Sequence, residues 1–231
     1  MTTLLAHADD NLVLAQRLGE WISNAPELEE DIAIGNIALD HLGVARALYT
    51  RAGEIEGKGR TEDDYAMQRA EREFLNVLLV EQPNGDFAQT MVRGLFFDAY
   101  QVELWAWLSG SDDEALAGIA ARAEKEARYH LRHTSTWVTR LGDGTDESHR
   151  RSQAAVENMW RFTGELFEGP GEVSRESWQS TVHAVLDEAG LVIPDDPYQR
   201  SGGRRGFHSE HLGPLLAEMQ WMQRSYPGME W

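Results

Sequence analysis

Glu124-Lys125-Glu126-Ala127-Arg128-Tyr129-His130 lies at the centre of a helical stripe, and that stripe decides the fold. From Asp112 to Gly142, apolar or small residues recur at Leu116, Ala120, Ala123, Ala127, Thr134, Trp137 and Leu141. The steps alternate between four and three, which places them on one face of an α-helix. His130 completes the stripe between Ala127 and Thr134. Glu126 falls at its edge, and Tyr129 points away from it. A bundle that holds two irons carries Glu-x-x-His on each of two helices, because i, i+3 spacing brings carboxylate and imidazole into one site. Here two registers compete, and each is incomplete. Glu126/Tyr129 has the acid without the imidazole, and Ala127/His130 has the imidazole without the acid. The inward register is Ala127/His130, a metal motif without its carboxylate. An imidazole alone is half a site, so His130 reads as a hydrogen-bonded core residue ahead of a ligand.

The rest of the chain is helical in pattern. No segment shows the period-two alternation of a strand. The spacing predicts helices at about 8–24, 28–56, 62–81, 86–109, 112–142, 146–167, 174–189 and 214–224. Gln82-Pro83-Asn84-Gly85 is a turn, and Asp86 is the N-cap that follows it. These elements make one all-α domain over 1–231, a helical bundle with its core at about 8–142 and a helical extension at 143–231. Two helices look apolar on more than one side. The second has Ile32, Gly35, Asn36, Leu39, Gly43 and Arg46 on one face and Ile34, Ile37, Ala38, His41, Ala45, Leu48 and Ala52 on the other. The helix after Asp86 has Phe87, Met91, Leu95, Asp98, Val102 and Trp105 opposite Phe96, Ala99, Tyr100 and Trp107. Such a helix is either central in the fold or closed against another subunit.

Placing four helices as a bundle sets Gln16, Asn36, Arg46, Asp98, Glu126 and His130 at or near the inner faces. A two-iron bundle requires Glu, Glu-x-x-His, Glu or Asp, and Glu-x-x-His in that order. This order reads Gln16 or, near the edge, Glu20, then Asn36-x-x-Leu39, Asp98, and Ala127-x-x-His130. The outline is polar but the ligands are weak. It reads as a buried polar network holding helix register, with no metal bound. We therefore expect Asp98 to be ionised and bonded to His130 or Arg46. Arg200, Arg204 and Arg205 form a basic, glycine-rich loop, followed by His208 and His211. These five are candidate contacts for a partner or an anion such as an acyl-CoA phosphate.

Composition narrows the function. Net charge is −18, from 39 acids against 21 bases, so nucleic acid and anionic membranes are poor partners. The absence of cysteine excludes thiol chemistry. The segment MTTLLAHADDN lacks a basic n-region, so no signal peptide is expected. Together these point to a soluble, cytoplasmic protein.

Leu18-Gly-Glu-Trp21, Ala25-Pro-Glu-Leu28, Leu79-Val-Glu-Gln-Pro-Asn-Gly85, Lys125-Glu-Ala-Arg-Tyr-His130, Trp160-Arg-Phe-Thr163, Glu210-His-Leu-Gly-Pro214 and Ala217-Glu-Met-Gln220 carry a resemblance. The chain resembles the C subunits of bacterial ring-1,2-phenylacetyl-CoA epoxidases from Leu12 to Trp231. The resemblance implies a ferritin-like fold and a place in a multicomponent monooxygenase of aerobic phenylacetate breakdown. It implies a homologous A subunit with the di-iron centre and the acyl-CoA site, and a separate reductase that uses NADPH. It implies no catalytic residue and no cofactor in this chain, a structural subunit. The alternatives are a self-sufficient di-iron oxygenase or ferroxidase, and an acyl-CoA-binding bundle.

Overall fold

The computed structural model describes residues 1–169, 173–195 and 198–229. All regular structure among them is helical, with nine α-helices and three short 3₁₀ segments. The fold is all-α, as the stripes predict, and is consistent with the ferritin-like bundle that the resemblance implies. The chain divides into two compact units, Met1–Pro83 with Gly202–Trp231, and Asn84–Ser201. The helices after Gly142 are shared between these units and form no body of their own.

In the first unit, α1 (Thr2–Gly19) and α2 (Leu28–Glu56) make a helical hairpin. α1 is displaced toward the N-terminus from its expected 8–24. It stops at Gly19 because the chain then turns, with Ser23 at φ 67° and its N–H donating to Asp31 at 2.7 Å. α2 starts and ends as predicted, closed by Gly57 in the left-handed conformation at φ 68°.

The helix expected over 62–81 is broken into α3 (Glu62–Met67) and α4 (Leu78–Glu81), with a 3₁₀ turn at Glu71–Glu73 flanked by extended chain between them. Two buried carboxylates on α1 explain the break. Asp9 accepts from the Leu75 N–H at 2.8 Å, and Asp10 accepts from the Val77 N–H at 2.8 Å. Alternate backbone donors thus bond to side chains, so the segment needs no helix to satisfy them.

In the second unit, α5 (Phe87–Leu108) is capped by Asp86, which accepts from Gln89 N–H at 3.0 Å. α6 (Glu114–Gly142) is capped by Asp113, one residue later than predicted. α7 (Asp146–Trp160) and α8 (Arg175–Glu188) complete the unit. Trp178 and Trp160 pack against Phe96, and the Trp178 indole donates to the Phe96 carbonyl at 2.8 Å. α5 is buried on both sides over most of its length, though Trp107 is exposed. On α6 the buried line is Ala120, Ala123, Ala127, His130, Thr134, Val138 and Gly142. Trp137 and Leu141 are half-buried, one step off the line. Gly94 lets α6 come close, since a Cβ there would meet the Thr134 methyl at 2.7 Å.

α2 departs from the expectation of burial on both faces. Ile34, Ile37, Ala38, His41, Ala45, Leu48 and Ala52 are buried. Ile32, Asn36, Leu39 and Arg46 on the other face are exposed. In the first unit α9 (Leu212–Ser225) is tied to the 66–70 segment by Gln220, whose amide donates to the Ala66 and Arg69 carbonyls at 2.9 and 3.1 Å. No helix among the described residues is long and apolar enough to cross a membrane.

Candidate functional site

In the second unit, α5 and α6 bring Asp98 and His130 into the buried core. The Thr134 hydroxyl donates to Asp98 Oδ2 at 2.9 Å. Burial pushes the Asp98 carboxyl up to about 6; His130, the Thr134 hydroxyl and Arg93 pull it down without overcoming that. Asp98 therefore still carries its charge at neutral pH. One of the two expected partners, Arg46, is corrected. A hydrogen bond comes from Thr134, and the charge of His130 favours the ionised form. Arg46 is exposed and pairs with Glu62 at 3.2 Å, so it is not the balancing cation. Glu126 lies on the rim and pairs with Arg122 at 2.9 Å. Tyr129 is exposed.

In the first unit, the register Asn36-x-x-Leu39 faces solvent. The inward register is Ala38-x-x-His41, with both residues buried. His41 Nδ1 lies 2.8 Å from Asn11 Oδ1, and the Asn11 amide donates to the His7 carbonyl at 2.8 Å. That second bond orients the amide, so Nδ1 is the donor to Oδ1. Gln16 is half-buried and borders a surface groove, outside this network. Ala38-x-x-His41 and Ala127-x-x-His130 thus share one form. Each keeps its imidazole, and each has alanine where the carboxylate belongs. The sequence held this signal, because His41 is in phase with Ile34, Ile37 and Ala45.

The largest polar cluster was missed by the inner-face reasoning. Asp9, Asp10 and Glu81 are fully buried in the first unit. Asp9 accepts from both Nη atoms of Arg69 and from the Tyr49 hydroxyl, the latter at 2.5 Å. Burial, with Asp9 alongside, pushes the Tyr49 phenol well above its usual range. Asp10 binds Arg204 at 2.7 and 3.0 Å. Burial works against the Asp10 charge, but Arg204 and His7 overcome it and hold the carboxyl below its usual range.

Glu81 accepts from the Asn76 amide at 2.9 Å and the Ser209 N–H at 2.6 Å. His208 places Nδ1 2.8 Å from Glu81 and Nε2 2.9 Å from the Phe74 carbonyl. Both ring nitrogens face acceptors, which suits imidazolium. Burial opposes that charge, but Glu81 prevails and the pKa is raised.

The basic loop is accordingly built into the fold. Arg204 also donates to the Ala6 and Leu75 carbonyls at 3.1 and 2.9 Å. Gly203 and Gly206 let the loop lie on the chain, since a Cβ at either would strike the Asn76 or Arg72 carbonyl. Arg204 and His208 are thus internal braces where anion contacts were expected. His211 contributes its backbone carbonyl to Arg17 at 3.0 Å. Arg200 and Arg205 remain exposed.

The model of the phenylacetic acid catabolic protein family matches residues 1–231. The chain belongs to this family. It is 48% identical over 237 residues to the C subunit of the 1,2-phenylacetyl-CoA epoxidase of Escherichia coli (strain K12). The match covers 96% of this chain and 95% of that protein.

Among the described residues, neither inward register carries Glu-x-x-His. α2 of the first unit has Ala38-x-x-His41, and α6 of the second unit has Ala127-x-x-His130.

Proposed function

We propose that the chain is a non-catalytic structural subunit of a multicomponent di-iron monooxygenase acting on phenylacetyl-CoA. It binds and stabilises a homologous A subunit, which holds the metal and the acyl-CoA, while a separate reductase supplies electrons from NADPH. The setting is the cytoplasm and aerobic phenylacetate catabolism. The observation that carries this reading is the alanine at both inward motif positions, Ala38 and Ala127, in a chain similar to a C subunit. A fold that keeps its helices and loses both motif carboxylates has kept its packing role.

Iron analysis of the separately purified chain is expected to give far less than one iron per chain. Adding the chain to the A subunit is expected to raise the thermal stability of that subunit. About two irons per chain, the complement of a complete bundle site, would support a self-sufficient oxygenase or ferroxidase. Saturable binding of acyl-CoA to the isolated chain would support the acyl-CoA-binding alternative.

A further inference from the structure

The outward face of α2 is the least explained surface of the first unit. Ile32 and Leu39 on that face are 58% and 64% exposed, and Ile22 and Leu28 beside it are 59% and 72% exposed. Ile22, Ile32 and Leu39 line a groove of about 430 Å³ between α1 and α2, together with Gly35 and Leu42. A second hollow of about 300 Å³ shares Gln16 and Gly19 with it and extends to Leu215 and Met219 on α9. Large apolar side chains gathered round a groove mark an interaction site, unlike the same residues scattered singly.

Two further features define the occupant. Gly35 and Gly43 sit one turn before and one turn after Leu39. Glycine weakens a helix interior relative to alanine, yet a Cβ at either position would meet nothing within 4 Å. The chain's own packing does not require these glycines. They leave the α2 backbone open on the outward side, where a ridge of another helix fits between Ile32 and Leu39.

The surroundings are also mostly acidic, with Arg17 paired to Glu20 at 2.7 Å. Between 18 and 45 the sequence has six acids, Glu20, Glu27, Glu29, Glu30, Asp31 and Asp40, and no Lys or Arg. Glu20, Asp31 and Glu218 line the two hollows. A second copy of this chain would set acid against acid across a two-fold axis, which disfavours it.

We infer that this face seats an amphipathic helix of the A subunit, with an apolar stripe flanked by Lys or Arg. The inference rests on the proposed partnership and adds to it the surface and the chemistry of the contact.

The test is binding of the full-length chain to the separately purified A subunit at low and high salt. Variants are Gly35→Leu and Leu39→Asp, with Tyr129→Ser on exposed α6 as control. Gly35→Leu fills the groove without burdening the chain's own packing, so its melting temperature should equal or exceed that of the wild type. Both groove variants should bind at least about tenfold more weakly, the loss expected of a contact near an interface centre. The control should bind as the wild type does, and salt should weaken the wild-type complex.

A photo-crosslinker replacing Leu39 should capture a helical segment of the A subunit that carries basic residues. Wild-type binding matched by both groove variants would overturn the assignment of the face and leave the partnership standing. No wild-type binding would overturn the partnership and the inference with it. Wild-type self-association abolished by Gly35→Leu would make a second copy the occupant and overturn the choice of partner.

Discussion

Asp98 shows how a buried acid is held in a helical core. Its hydrogen bond comes from Thr134, and its pKa is raised to about 6 because desolvation outweighs its neighbours. A carboxyl raised in the folded state favours folding when protonated. That contribution is present below the unfolded value near 4 and is lost as pH rises through about 6. Asp98→Asn removes the titration. The stability of Asp98→Asn relative to wild type should therefore rise between pH 4 and 6.5, by up to about 3 kcal/mol. Urea unfolding of both proteins across that range measures it. A difference that stays flat with pH would show that Asp98 titrates in the folded state as it does in the unfolded one. The sequence placed Asp98 and His130 in the core from phase alone. It did not name Thr134 as the donor, because choosing among neighbours along α6 needs side-chain geometry that periodicity does not carry.

At the scale of elements, stripes located helices well and misjudged what polar residues do between them. α2, α5 and α6 were legible because each is long and periodic. The 62–81 segment was not, since its extended stretch is held by Asp9 and Asp10 from some 65 positions earlier. The adjacent acids Asp9 and Asp10 on the expected first helix are the available signal, but helical phase does not tell which backbone donors they reach. Asp10, through Arg204, also turns the 202–206 loop from a surface feature into a brace.

Asp10→Ala would strand the buried Arg204 guanidinium. We expect a loss of about 3–5 kcal/mol, the cost of breaking a buried pair by removing one partner. The double change Asp10→Leu/Arg204→Met should recover part of it by leaving no buried charge. Urea midpoints of the single and double variants decide the matter. A single variant as stable as wild type would show that the brace is dispensable.

At the scale of the whole molecule, net charge and apolar surface act against each other. A charge of −18 keeps copies apart at neutral pH, while the α2 face offers Ile32 and Leu39 to any surface that approaches. The balance must therefore shift with pH. As pH falls from 7.5 toward the isoelectric point near 4.8, carboxylates take up protons and the repulsion fades. Apolar attraction hardly changes over that interval, because it depends on buried area and not on charge. Light scattering of the isolated chain should rise as pH approaches 5, before circular dichroism reports loss of helix. The double variant Ile32→Ser/Leu39→Ser has the same net charge and the same isoelectric point, so repulsion fades for it at the same pH. Its scattering should nevertheless rise later and less. Equal scattering from the two proteins would mean that the association of this acidic chain runs through some other surface, and that the α2 face is inert in the absence of its partner.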